Sequence, residues 1–289
     1  MKTRAYLCII LGAAFWGFIG LFVKNLAAQG FTAMQIVALR ALASAACITL
    51  VLFKAGFKNL HVRLRDLWLF VGTGILSLVF FNYCYFNCMQ GASLAVAALL
   101  LYTAPIFVML MSLLLFGERF TRRKALALVC TFIGCAFITG AFASELTLTT
   151  SALLYGLGSG FGYALYSIFG KYAVRKYSSL TITAYTFYFS VLGSLPLANF
   201  DSQLLSKINN TTLLNALALG LICAVIPYLL YTKGLAKVEA GQASILATIE
   251  PFVAASIGIL YFGEPLTLDK TCGMALIFLS IIVLNLPKK

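Results

Sequence analysis

From Leu67 to Gly117 the chain runs for 51 residues without a charged side chain. One helix crosses a bilayer in about 20 residues, so this stretch has to be two membrane spans joined by a tight turn. The polar cluster Asn87-Cys88-Met89-Gln90-Gly91-Ala92-Ser93 is the break it offers. The rest of the chain is built the same way. Of 289 residues, 62% are hydrophobic and 10% charged, with a mean hydropathy of +0.99. A soluble domain carries about 25% charged residues. This composition cannot cover a water-facing surface, and the chain reads as an all-α integral membrane protein.

The remaining spans follow in order. Lys2 and Arg4 precede the uncharged run Ala5 to Val23, which is too long for a signal peptide and lacks a convincing cleavage site, so it is expected to stay as the first span. The second runs from about Phe31 to Phe53, with Arg40 near its middle, and the fifth from Ala125 to about Phe142. Further spans fall near Ala152–Phe169, Leu180–Ala198, Leu213–Tyr231, Gly241–Phe262 and Thr271–Leu286. The expectation is ten transmembrane helices in two units of five, residues 1–145 and 146–289. Five is odd, so the two units have to enter the membrane from opposite sides as inverted repeats.

Charge placement sets the orientation. With both termini inside, the cytoplasmic segments hold Lys2, Arg4, Lys54, Lys58, Arg63, Arg65, Arg119, Arg122, Arg123, Lys124, Lys171, Arg175, Lys176, Lys233, Lys237, Lys288 and Lys289. The outer loops hold Lys24, Lys207 and Lys270. Seventeen of the 21 Lys and Arg against three is the bias that positive cytoplasmic loops produce. It also accounts for the net charge of +13 without a nucleic-acid partner. The expected location is a cell (inner) membrane, multi-pass, with N- and C-termini cytoplasmic and the lipid bilayer as the standing partner.

An internal echo supports the duplication. Sliding Tyr85–Thr121 against Tyr231–Thr267 at an offset of 146 requires no gaps and gives nine identities in 37 positions, where composition this biased gives roughly three by chance. Pro105 pairs with Pro251, and the runs end in Phe116-Gly117-Glu118 and Phe262-Gly263-Glu264, with Thr121 and Thr267 three residues on. These features, the early Trp16-Gly17, Arg40 in the second span and the Glu250-Pro251 pair together resemble the EamA-like, ten-helix branch of the drug/metabolite transporter superfamily. The resemblance covers essentially the whole chain. It implies a secondary transporter, often an exporter, of amino acids or other small metabolites.

Inverted repeats support that class on physical grounds, because exchanging the roles of two halves yields the two conformations that alternating access needs. No Walker A loop, ATPase domain or arginine ladder is visible, which argues against primary pumping and voltage gating. No cofactor motif and no catalytic residue set stands out. The eight cysteines lie within apolar runs and the one histidine, His61, is in a distant loop, so no metal site is expected and the cysteines read as small buried hydrophobes.

Candidate substrate-binding residues follow from what is costly to bury. Arg40 and Glu250 are the charges deep in predicted spans, each costing about 2.5–3.5 kcal/mol at a helix centre. They could bind opposite charges of a substrate, or pair with each other while the site is empty, and a coupling proton could compete for Glu250. Aromatics with a polar handle near mid-span, Trp16, Tyr102, Tyr163, Tyr166 and Tyr228, and the mid-span Asn82 complete the set. Tyr83, Tyr85 and Tyr231 could line the cavity as well, but tyrosine at the end of a span is more often an interfacial belt residue, and Tyr85 and Tyr231 are open to that reading too. Pro105 and Pro251 are expected to kink paired helices, leave a carbonyl exposed to a cavity and serve as gating points. Glycines on the first and sixth spans should admit close neighbours. The cargo that fits is a small amino acid, or a related zwitterion or amine, moved outward by alternating access. A channel or lipid scramblase, and less so a membrane-embedded enzyme, remain alternatives from other classes. The scarcity of buried cations argues against a phosphate-rich nucleotide sugar.

Overall fold

A computed structural model describes residues 2–56, 60–142, 148–200 and 208–285. Among the described residues there is no β-strand, and ten long helical stretches follow one another. They are α1 (Lys2–Ala28), α2 (Ala33–Ala55), α3 (Leu64–Gly91), α4 (Leu94–Phe116), α5 (Arg122–Thr139), α6 (Thr150–Ala173), α7 (Ser179–Leu197), α8 (Asn210–Leu235), α9 (Ala240–Phe262) and α10 (Leu268–Asn285). All except α5 and α10 are long and apolar enough to cross a membrane. The chain is a multi-pass, all-helical membrane protein. The turn expected inside the uncharged run falls at Ala92 and Ser93, between α3 and α4. The boundary between residues 145 and 146, Lys58, Asp201, Lys207, Leu286, Lys288 and Lys289 lie outside the described residues.

Local sequence sets the helix ends. Thr32 caps α2 in a capping box with Gln35, and Asn209 does the same for α8 with Thr212. Ser93, Thr121, Thr149 and Ser178 accept the N3 backbone N–H at the starts of α4, α5, α6 and α7. At the other ends, Gly117 and Gly263 close α4 and α9 in the left-handed conformation, φ +64° and +68°, which only glycine adopts without strain. Glu118 N–H then returns to Ser112 O and Glu264 N–H to Gly258 O. The two Phe-Gly-Glu turns have the same backbone.

Three helices are interrupted. α1 breaks at Gly17–Phe18, α4 at Tyr102–Thr103 and α9 at Thr248. The expectation of a proline kink within a continuous helix needs correcting. Pro105 and Pro251 each stand in the first turn of the segment after the break, Ala104–Phe116 and Ile249–Phe262, where a missing N–H costs no helical bond. The break itself is held by hydroxyls: Thr103 Oγ1 donates to Leu100 O at 2.6 Å and Thr248 Oγ1 to Ile245 O at 2.6 Å. α3 and α8 carry single π-helical stretches, Gly72–Val79 and Leu221–Val225, at corresponding depths.

The core is assembled from α1–α4 and α6–α9, with α1 packed on α8, α3 on α6, and α7 on both α2 and α3. α5 and α10 pair with each other, close enough that a Cβ on Gly273 would lie 2.6 Å from Gly134 O. On α1, Gly12 and Gly17 sit against α8 and α9 as expected, whereas Gly20 meets open space. Cys272 is exposed and Cys8 and Cys47 are half-buried, which corrects the expectation that all eight cysteines are buried.

Candidate functional site

The three helix breaks converge on one cavity. It has a volume of about 360 Å³, and its walls bring together Trp16, Arg40, Asn82, Tyr102, Tyr163, Tyr228 and Glu250. These come from α1, α2, α3, α4, α6, α8 and α9, residues far apart in sequence. Tyr166 is the candidate that does not reach it. Its hydroxyl pairs with Thr232 Oγ1 at 2.7 Å, and its ring lines a water-sized void of about 10 Å³ behind the cavity wall. Pro105 lines a second void of that size, beside Glu250, while buried Pro251 lines none of these spaces.

Each functional group is positioned by its element. The break at Thr248 starts a new helix, placing Glu250 in its first turn, where the positive end of the helix dipole favours a carboxylate. Tyr163 donates its hydroxyl to Glu250 Oε2 at 3.0 Å. Tyr163 is in turn wedged by Phe81 and Trp16, at ring-centroid distances of 5.6 and 6.2 Å. Trp16 ends the first segment of α1 and packs on Tyr228 and Tyr231 at 5.1 and 5.3 Å. Its indole N–H is buried without a hydrogen-bond partner among the described residues. Asn82 donates to Leu78 O on its own helix at 2.7 Å.

Arg40 is half-buried in the cavity wall. Among the described residues its guanidinium makes no hydrogen bond and no ion pair. The expected pairing of Arg40 with Glu250 is therefore absent from this structure: the carboxylate bonds to Tyr163 instead, and the two charges face the cavity separately. Of the two readings open for Tyr85 and Tyr231, cavity lining or interfacial belt, the structure does not take the belt for either. Tyr85 lines the cavity with Phe81 and Phe86. Tyr231 is buried, sharing a 2.7 Å hydrogen bond with Ser167 Oγ. Their identity at the 146-residue offset was the signal that marked both positions.

The cavity reaches toward one end of the bundle, where Val23 and Ala27 of α1, Ala33 of α2 and Ala98 of α4 line it. The opposite end is shut by polar contacts. Glu118 accepts from the backbone N–H groups of Ala240 and Gly241 at 2.6 and 3.1 Å. Lys124 bridges Glu118 and Glu239 at 3.9 and 2.6 Å. Lys171 donates to the carbonyls of Leu235 and Val238, and Tyr6 to Gln242. Lys176 and Tyr177 both donate to Asp66 at 2.6 Å. Burial, followed by that bond to Asp66, pushes the Tyr177 phenol above its ordinary pKa. Among the described residues no group of three or more His, Cys, Asp or Glu is placed to hold a metal ion.

Known proteins share this sequence and shape. The model of the EamA-like transporter family matches residues 3–140 and again 150–286. An uncharacterized transporter of Archaeoglobus fulgidus is 33% identical over 95% of this chain and 94% of its own length. The uncharacterized transporter YwfM of Bacillus subtilis is 25% identical over 100% and 97%. A protein of Salmonella typhimurium named a probable amino-acid metabolite efflux pump is 22% identical over 75% and 76%. A solved crystal structure superposes with a TM-score of 0.84 at 17% identity, covering 99% of this chain and 97% of the other, which speaks for the fold alone. With a charged, aromatic cavity inside a helical bundle and its sequence matched along both halves, this chain is a membrane transporter and belongs to the EamA-like transporter family of the drug/metabolite transporter superfamily.

Proposed function

We propose that the protein is a secondary transporter that exports an amino acid or a related zwitterion or amine by alternating access. The observation that carries this reading is the pair of separated charges. Among the described residues Arg40 makes no hydrogen bond or ion pair and Glu250 is held by one tyrosine hydroxyl, and both face a cavity of about 360 Å³. A substrate carboxylate would satisfy Arg40 bidentately, and its ammonium would take Glu250. The rings of Trp16, Tyr102, Tyr163 and Tyr228 would hold the apolar remainder and add cation–π attraction for the ammonium. An amine without a carboxylate would use Glu250 and the rings alone. The Salmonella protein's printed name is consistent with this cargo.

The scaffold reading goes with it. The ten long helices form two five-helix units that meet near residues 145 and 146 and are inverted with respect to each other. Both termini are cytoplasmic, so the shut end faces the cytoplasm and the cavity faces outward. α5 and α10, short of the apolar length of the others, complete the membrane bundle as a pair. Closure of one end favours this reading over a channel, which needs a continuous path.

Counterflow in proteoliposomes tests the proposal. Vesicles preloaded with an unlabelled amino acid should accumulate the labelled one, and Arg40→Gln and Glu250→Gln should each abolish saturable uptake. Saturable counterflow surviving in both variants would refute the two-charge site. Flux that rises linearly with concentration would favour the channel. A pH dependence of substrate affinity, present in the parent and lost in the weakened binding of Glu250→Gln, would identify Glu250 as the site of a coupling proton.

A further inference from the structure

The two Phe-Gly-Glu turns are alike in backbone and unlike in use. In both, a left-handed glycine precedes the glutamate, the glutamate N–H returns six residues back, and a threonine hydroxyl caps the lysine N–H that follows. At the 146-residue offset Glu118 corresponds to Glu264, Lys124 to Lys270, and the helix start Ala240–Gly241 to Leu94–Ala95. Glu118 spans the two halves, accepting both N–H groups at the start of α9. Its side chain is 8% exposed, and Lys124 behind it is 5% exposed. Glu264 is bonded to Lys270 at 2.9 Å and is 42% exposed. Among the described residues its carboxylate accepts no hydrogen bond from Leu94 or Ala95; Leu94 is itself exposed. The latched end is the shut one. The unlatched end is where the cavity opens, past Ala98 on α4.

We infer that Glu118 and Glu264 form a reciprocal latch. In this structure Glu118 holds one end closed on the N-terminus of α9. In the opposite conformation Glu118 lets go, and Glu264 docks on the N–H groups of Leu94 and Ala95 to close the other end. Each is steadied by its own lysine. The chemistry suits both docks, because a carboxylate at a helix N-terminus meets orphan N–H donors and the positive end of the helix dipole. The latches are unequal. Lys124 reaches two carboxylates, Glu118 and Glu239, whereas the position equivalent to Glu239 is Ser93, which caps α4 by accepting from Val96 N–H. The resting protein is thereby biased toward the state seen here.

This inference rests on the transporter reading, and its test reads conformation rather than transport. Reporter cysteines Ala98→Cys, in the open cavity, and Ser244→Cys, buried toward the shut end, are introduced singly. Their reaction with a soluble maleimide is followed on the purified protein by mass spectrometry of the reporter peptide. Glu118→Gln should speed labelling at residue 244 and slow it at residue 98, by roughly tenfold, as expected for losing a charge-assisted hydrogen bond. Glu264→Gln should leave 244 protected. Ser93→Glu, which supplies the missing carboxylate without touching the existing latch, should slow labelling at 98 and speed it at 244, and adding Lys270→Gln should cancel the effect. Unchanged rates in a folded Glu118→Gln protein would overturn the proposal. So would a folded Ser93→Glu protein with no shift, or one whose shift survives Lys270→Gln; this second variant decides the matter if Glu118→Gln does not fold. Failed amino-acid counterflow with these shifts intact would refute only the cargo. Intact counterflow with unchanged labelling would refute only the latch.

Discussion

Glu250→Gln should bind substrate more weakly and yet melt higher, an uncommon pairing of effects. The carboxylate sits in a cavity wall with one hydrogen bond, from Tyr163 at 3.0 Å. A charge at that depth costs about 2.5–3.5 kcal/mol on insertion scales, offset in part by the helix dipole, worth about 0.3–1 kcal/mol, and by the tyrosine. Glutamine keeps the shape and an acceptor for Tyr163 and removes a buried charge that its surroundings offset only in part. About 1 kcal/mol regained corresponds to about 2–4 °C in Tm for a chain of this size class. Binding moves the other way. A hydrogen bond to a charged partner contributes about 1.5–3 kcal/mol, so losing the ammonium contact raises Kd about 10–150-fold. The assay is a melting curve of purified protein with and without a titrated amino acid: the ligand-free curve gives stability and the ligand-induced shift gives Kd. Tyr163→Phe is the control, since it strips the charge of its one partner and should lower Tm. If Glu250→Gln lowers Tm, or binds amino acids as tightly as the parent, the reasoning about this carboxylate fails.

Trp16→Phe should raise the ligand-free Tm, because it deletes a buried N–H without a partner whose desolvation costs about 1–3 kcal/mol; a lower Tm would mean that a water satisfies it. Gly273→Ala should destabilise by about 1–3 kcal/mol through overpacking, since its Cβ would meet Gly134 O at 2.6 Å, and a parent-like melting curve would contradict that packing. Pro105→Ala and Pro251→Ala should leave both helix breaks and turnover close to the parent while Thr103 and Thr248 hold them, and a large loss of transport would return the prolines to a gating role. An impermeant label should reach a cysteine at exposed Asn209 in intact cells and leave tags at both termini unlabelled; the reverse pattern would invert the proposed topology.

Much of the bundle was legible because hydropathy and helix-stop chemistry are local. The break at Ala92–Ser93 follows from a run too long for one helix, and the glycine stops at Gly117 and Gly263 can be read directly. The cavity was legible in part for a different reason: burying an arginine or a glutamate is costly, so Arg40 and Glu250 stand out without any knowledge of contacts. Tyr166 and Tyr85 could not be told apart that way. Both are tyrosines in apolar runs, and which one reaches the cavity depends on helix rotation, set by packing at a distance. The proline misreading has the same origin. A proline in a sequence window marks an interruption, but the residues around it, here Thr103 and Thr248, decide whether the helix kinks or stops.

The same 146-residue offset separates what this chain repeats from what it does not. The latch residues come in pairs, Glu118 with Glu264 and Lys124 with Lys270. The charges of the cavity do not: Glu250 corresponds to Ala104, and Arg40 to Thr186, which is buried and bonded to Thr73. The difference matches what each set has to do. Closing two ends in turn requires two equivalent devices of nearly equal strength, since a difference of about 2.7 kcal/mol, half of what separates 1:99 from 99:1, would take a balanced equilibrium to 99:1 either way. Holding one small zwitterion requires one cation and one anion, and a second copy of each would bury two more charges with nothing to neutralise them. Mutations at the ends should therefore shift which side is open, and mutations in the cavity should change what is bound. Ser93→Glu and Glu250→Gln, one from each class, should give effects on labelling and on Kd that combine without coupling, as expected for sites that share no partner. Strong coupling in the double variant would mean that the cavity and the latch are one network rather than two.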